Sequence, residues 1–242
     1  MQEEISLAVS VDRLYDTELG PKEFAFIYAG YASILIRTKK SVVALDPSSF
    51  FSKVMDNIQQ IDLITYSHSH YDHYDLKNAV ALYKKTDAHI ISEFNMVEEL
   101  RKKIPEEKVD SGPEDFRTVK GDPKFKLNGI TAELHHGVHP RPIIQLRVSL
   151  GRLKVFHAAD SGYWPVGKRK VDVAFLPTGV PSPTCHPGVA LAMAMDTKPS
   201  FAVAVHGTDE QRTKFKELVE RELPETQVVI PRVNDLIILN KP

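Results

Sequence analysis

The sequence predicts an α/β (α+β) protein, a four-layer αββα sandwich with two sheets face to face and helices outside. Three observations lead there. The chain has 242 residues, 42% of them hydrophobic and 26% charged, enough to bury a large core. Each half opens on several short strands and then alternates helix with strand, which suggests two sheets. No stretch has the composition of a linker and no repeat of fixed period is visible, so one domain over residues 1–242 is expected.

Taken in order, strands are expected at residues 5–11, 24–29, 33–37 and Val42–Leu45, each short and rich in Ile, Val, Phe or Ala. A short helix fits 51–59. Leu63–Tyr66 is an apolar strand that runs straight into a histidine cluster. Residues 76–84 have helical spacing, with Ala79, Val80 and Tyr83 on one side. Residues 90–91 form a strand core, and 94–103 a second helix. The second half returns to strands at 116–119, 130–135, 143–149, Leu153–His157 and 171–176. A helix fits 188–196, a strand Phe201–Val205, a charged helix 210–221, and strands the regions 228–230 and 236–239.

Charge and cysteine usage exclude several classes. Lys and Arg number 31 against 32 Asp and Glu, a net charge of −1, so the basic excess of a nucleic-acid binder is missing. Cys185 is the single cysteine, which rules out an intramolecular disulfide and an all-cysteine metal knuckle. Glu3 and Glu4 stand where a signal peptide carries basic residues. The longest apolar run, 189–195, is far short of the ~20 residues of a membrane span. A cytoplasmic protein without a membrane partner is expected.

Ten histidines are present, three within 67–74 and three within 135–139. The first cluster reads His68-Ser-His70-Tyr-Asp72-His73, an H-x-H-x-D-H pattern. His68 and His70 lie two apart at a strand end, so both side chains can point the same way. Asp72 and His73 fall where the chain must turn before the next helix, and a turn can swing them towards a second point nearby. Such a set can seed a two-metal site with ions roughly 3.5–4 Å apart. Imidazole with carboxylate suits zinc, with manganese or iron also possible.

This pattern resembles the signature of the metallo-β-lactamase-fold hydrolase superfamily, and the likeness covers most of the chain. The run from Tyr28 to Ile36, followed by Val43-Ala-Leu-Asp46-Pro47, is similar to the family's opening hairpin with its closing Asp-Pro. His157-Ala-Ala-Asp160-Ser-Gly resembles the family's H-A-G-D-T-G turn, with Ala159 in place of the usual glycine. Ala204-Val-His206-Gly matches the late strand that ends in histidine. Order and spacing look most like the compact single-domain branch, which includes L-ascorbate-6-phosphate lactonase-like and other metal-dependent hydrolases.

The resemblance implies a ligand set. His68 and His70 would hold one metal with a third histidine from mid-chain. Asp72, His73 and His206 would hold the second, and Asp160 would bridge both. For the third histidine there are three candidates. Strand alternation puts His136 on the apolar face with Ile130, Ala132 and Leu134, and His135 on the polar face with Thr131 and Glu133. His136 is therefore preferred, with His139, in a His-Pro context, as the alternative. His157 reads as a packing residue and His89 as a surface or strand residue. Asp46 has two readings, orienting a metal-binding histidine through its other ring nitrogen or simply closing a turn. Cys185 and His186 sit in a Pro-rich loop that either overhangs the site or lies on the surface.

The chemistry implied is hydrolysis. Two divalent ions bring the pKa of a shared water from about 15.7 towards neutrality, and the resulting hydroxide attacks a carbonyl or phosphoryl centre. Asp72, with a spare carboxylate oxygen, can orient the nucleophile and shuttle a proton. No G-x-S-x-G elbow and no Walker loop is present. The expected activity is a metal-dependent hydrolase acting on a small ester, lactone or phosphodiester. An iron-dependent redox or dioxygen enzyme and a nucleic-acid-processing enzyme are the alternatives. Candidate recognition groups are Tyr71, Tyr74, Arg141, Tyr163, Trp164 and the loop 178–186. The Lys-rich segments 120–126 and 167–170 read as solvated turns.

Overall fold

The computed structural model describes residues 5–241; Glu3 and Glu4, on which the signal-peptide reading rests, lie outside them. The chain forms two compact units. One ends at Ser111 and takes up the chain again at Arg232–Lys241; the other is Gly112–Pro231.

The first unit runs α1 (Leu7–Asp16), β1 (Glu23–Gly30), β2 (Ser33–Thr38), β3 (Val42–Leu45), β4 (Leu63–Tyr66), α2 (Leu76–Thr86), β5 (His89–Ser92), α3 (Phe94–Arg101) and β6 (Val109–Ser111). Strands β1 to β3 pair antiparallel and β3 to β6 pair parallel. Short turns suffice for the antiparallel pairs, whereas the crossovers β4–α2–β5 and β5–α3–β6 make the parallel ones. Val11 and Leu14 of α1, Ala79 and Leu82 of α2, and Met96 and Leu100 of α3 share one core with Ala25, Leu35, Ala44, Ile64 and Ile90 of the strands.

The second unit repeats this pattern. It runs β7 (Lys124–Leu127), β8 (Ile130–His136), β9 (Ile144–Leu150), β10 (Leu153–His157), β11 (Val173–Pro177), α4 (Pro187–Thr197), β12 (Phe201–Val205), α5 (Asp209–Glu222) and β13 (Gln227–Val229). β7 to β10 are antiparallel, β10 to β13 parallel. Ala190, Met193 and Ala194 of α4 and Phe215 and Val219 of α5 pack on Phe156, Ala174, Leu176, Ala202 and Ala204. The last strand, β14 (Leu236–Asn240), returns to the first unit and pairs with β1, giving two sheets of seven strands.

Four expectations change. Residues 5–11 are not a strand: α1 starts at Leu7, capped by the Ser6 hydroxyl accepting from the Val9 N–H (3.3 Å). The apolar run there has Leu7, Val11 and Leu14 at helical spacing, which outweighs β-branched content. Phe116–Thr118 and Ser49–Val54 are short 3-10 turns rather than a strand and an α-helix. Lys124–Leu127, which overlaps the segment 120–126 read as a solvated turn, is β7, an edge strand, and edge strands carry lysine readily. Among the described residues no helix is long and apolar enough to cross a membrane.

Candidate metal centre

In the first unit β3 and β4 are parallel neighbours, with Leu45 opposite Thr65, so their C-terminal ends emerge side by side. Asp46 follows β3, and Ser67-His68 follows β4. The Asp46 carboxylate accepts from the Ser67 N–H (2.7 Å) and hydroxyl (2.6 Å), and lies 2.8 Å from His73 Nδ1. Asp46 and His73 are both fully buried. The His70 carbonyl accepts from the N–H groups of His73 (2.9 Å) and Tyr74 (2.8 Å), closing a tight turn that returns Asp72 and His73 to the strand end. Asp75 caps α2 directly afterwards through the Asn78 N–H (2.6 Å). Asn78 Nδ2 donates to the Pro47 and Ser48 carbonyls, each at 2.8 Å, fastening the helix to the Asp46 turn.

The result is a close imidazole group. The His68 ring lies 4.6 Å from that of His70 and 4.2 Å from that of His73. His73 Nε2 stands 3.7 Å from Asp72 Oδ2. The hydrogen bonds assign the ring protons. Ser67 gives its hydroxyl proton to Asp46, so its oxygen accepts from His68 Nδ1 (3.0 Å). His73 Nδ1 donates to Asp46 in the same way. Both rings then carry their proton on Nδ1 and leave Nε2 as the basic nitrogen, the form a metal needs.

In the second unit β10, β11 and β12 are parallel neighbours, so the turns after them share one sheet edge, the usual place for ligands in such sheets. Asp160 follows β10 and His206 follows β12. His206 Nε2 lies 2.5 Å from Asp160 Oδ1, both side chains buried. His139 reaches the same carboxylate: its ligand atom and that of Asp160 lie within 4.8 Å. Backbone pairing puts it there. Val138 forms a β-bridge with Gly162, donating its N–H to Ser161 Oγ (2.8 Å) and accepting from the Gly162 N–H (2.7 Å).

The order of preference between His136 and His139 therefore reverses. His136 does follow the Leu134 side of β8, but its ring is held between Phe116 (5.7 Å) and Trp164 (4.5 Å). Strand alternation was extrapolated to the end of β8, whereas the loop beyond folds back and delivers His139 to Asp160. His135 is buried beside Asp122 (3.1 Å) and Glu133 (3.4 Å). Asp122, Glu133 and His135 stand together, but Glu133 already holds Arg169 and Lys124, so the group is an ion-pair network.

Other candidates scatter. His157 is buried in β10, its ring 6.4 Å from Phe175. His89 pairs with Asp110 (2.8 Å). His186 caps α4, accepting from the Gly188 N–H (3.2 Å). Tyr74 packs edge-on to Tyr66 in the core, which removes it as a recognition group, while Tyr71 is 77% exposed. Tyr163 donates its hydroxyl to Asp196 (3.0 Å), and Arg141 is exposed. Ser67, Thr178, Ser182 and Thr184 touch the ring or backbone of candidate ligands; the sequence offered the last three only as part of a recognition loop and gave Ser67 no role. Hydroxyls of this kind carry no spacing signal.

The donor chemistry fits divalent metal ions: buried imidazoles with assigned lone pairs, and carboxylates within reach of imidazoles. Comparison with known proteins agrees. A UPF0173 protein of Pyrococcus abyssi (strain GE5 / Orsay) is 26% identical over 184 residues, 74% of this chain and 81% of that one. The solved structure of Igni18, a metallo hydrolase from Ignicoccus hospitalis, has TM-score 0.72 at 18% identity, covering 90% of this chain and 99% of that one. The metallo-β-lactamase fold protein YhfI from Bacillus subtilis has TM-score 0.67 at 15% identity, covering 90% and 99%. The fold expected from the sequence is thus the fold found. With residues 34–207 matching the model of the beta-lactamase superfamily domain, the chain belongs to that family, as a metal-dependent hydrolase of the metallo-β-lactamase fold.

Proposed function

We propose that the chain is a dinuclear hydrolase of small esters, lactones or phosphodiesters, loaded with zinc. His68 and His70 with His139 would hold one ion, and Asp72, His73 and His206 the other, with Asp160 shared. The observation that carries this reading lies in the second unit, where Asp160 stands within 4.8 Å of both His139 and His206. A carboxylate has two oxygens and can serve two such neighbours at once. When bound, the ions would supply a nucleophilic water at neutral pH and a polarised substrate oxygen.

The protein's own contribution is positional. Asp46 holds His73, and through Ser67 also His68, with Nε2 presented. Asp72, beside His73 Nε2, offers its second oxygen to orient a water and accept its proton. Exposed Tyr71 and Trp164 stand close in sequence to these ligands and are the recognition groups that we retain. The single thiol, Cys185, is buried and fits a cytoplasmic protein.

Elemental analysis of the purified protein, with and without chelator, tests the reading. About two equivalents of zinc per chain are expected, with turnover of lactone, ester or phosphodiester substrates lost on chelation. Asp160→Asn and His206→Ala are each expected to lose at least one equivalent. Unchanged metal content in either variant would remove that residue from the ligand set. Iron with redox-dependent turnover would replace the hydrolytic reading by the oxidative one.

A further inference from the structure

The turns that carry Asp160 and His206 both pass through left-handed backbone. Ala159 has φ +51° and His206 itself φ +53°. A side-chain-bearing residue in this region is strained, so the surroundings must hold each turn in place. The metallo-β-lactamase pattern has glycine at the position of Ala159, where the conformation is free of that cost.

Residues 178–185, which lead from β11 to α4, lie on both turns. At one end Thr178 Oγ1 donates to the His206 carbonyl (2.8 Å), and the Val180 carbonyl accepts from the Gly207 N–H (2.6 Å). At the other end two hydroxyls, Ser182 Oγ (2.9 Å) and Thr184 Oγ1 (2.8 Å), donate to the Asp160 carbonyl. The Cys185 thiol donates to the next carbonyl, that of Ser161 (2.9 Å). Thr178 and Ser182 are almost completely buried. The segment also fits closely: a Cβ on Gly162 would come within 3.2 Å of the Thr184 carbonyl. Three of these five bonds end on the carbonyls of the two ligand residues themselves, and the other two on the residues that follow them. Both lone pairs of the Asp160 carbonyl are used, which fixes the peptide plane from which the carboxylate hangs.

We propose that residues 178–185 form a strap whose hydroxyls position Asp160 and His206 for metal binding, with Thr178, Ser182 and Thr184 as positioning residues. The inference rests on the ligand set proposed above. The bonds of the strap end on backbone atoms and not on the ligand side chains. It acts by holding the approach of His206 Nε2 to Asp160 Oδ1, and outer partners of this kind set metal affinity by about 10–100-fold.

The test uses the metal-loaded enzyme with the double variant Ser182→Ala/Thr184→Val, the single variant Thr184→Ser, and Asp160→Asn. Metal release is followed against increasing chelator. The double variant is expected to bind two ions at saturation but to surrender one of them at about 10–100-fold lower chelator than wild type. Its kcat falls while KM and the circular dichroism spectrum stay unchanged. Thr184→Ser keeps the hydroxyl and is expected to behave as wild type. Wild-type chelator resistance in the double variant would overturn the proposal. So would a Thr184→Ser variant that loses metal as readily as the double variant, since packing rather than the hydroxyl would then be responsible. Should the double variant not fold, Ser182→Ala alone is read the same way. A wild type without metal, or an Asp160→Asn variant with both ions at wild-type affinity, would show instead that the ligand set is wrong.

Discussion

Asp46 determines the form of two imidazoles from a single buried carboxylate. It accepts a hydrogen bond from His73 Nδ1 directly and one from the Ser67 hydroxyl, whose oxygen in turn accepts from His68 Nδ1. An amide at this position has one acceptor oxygen and an NH2 that opposes the ring protons. Asp46→Asn is therefore expected to weaken metal binding by about 10–100-fold in chelator competition. Wild-type retention would mean that the carboxylate only closes the turn. The sequence offered both readings of Asp46, and its place at a strand end could not separate them, because the deciding partner is a serine. Cys185 carries a second expectation. Burial pushes its thiol up to about 12, so a thiol reagent at neutral pH should find no reactive cysteine in the folded protein and one after denaturation. Rapid labelling of native protein would contradict its burial at the end of the strap.

Strand ends were the legible part of the fold, and the segments that cap or edge the sheets were not. The apolar strands Leu63–Tyr66, Leu153–His157 and Phe201–Val205 are read from the sequence with their observed bounds, and each leads to a candidate ligand. α1 was misread because its apolar residues also suit a strand. β7 was missed because its exposed lysines, Lys124 and Lys126, outweighed the half-buried Phe125 and Leu127 that alternate with them. The cost of that miss is visible in the Lys124–Glu133 pair, which joins β7 to β8. Burial pulls the Glu133 carboxyl upward, but Arg169 and Lys124 together hold it below the ordinary carboxylate range, with His135 also facing it. A carboxyl lowered in the folded state stabilises it above the unfolded value of about 4.3, and that contribution is lost as pH falls through the folded value. Glu133→Gln is thus expected to lower stability at neutral pH and to flatten its loss below about pH 4.3 in denaturant titrations. Parallel stability–pH curves for variant and wild type would show that the network contributes nothing.

The connectivity makes the first unit depend on the last residues of the chain. The chain leaves it at Ser111, builds the whole second unit, and returns at Arg232. β14 then covers the free side of β1, pairing from Glu23 opposite Asn240 to Ile27 opposite Leu236. Asn234 ties the return to β1 and α1: its N–H donates to the Tyr28 carbonyl (2.7 Å), and its own carbonyl accepts from Ser10 of α1 (2.5 Å). The sequence showed a strand at this place but not its partner, since a pairing across more than two hundred residues leaves no local trace. Such distant pairing forms late, after the second unit is synthesised. We propose that residues 1–242 accordingly unfold as one domain, in a single cooperative transition. A chain ending at Pro231 would leave β1 as an exposed edge of apolar residues, a template for association. It is expected to aggregate on refolding, seen by light scattering, and to lose bound metal with the first unit's histidine loop. A monodisperse truncated chain with the wild-type melting temperature would show that the first unit closes without β14, and that the two units unfold independently.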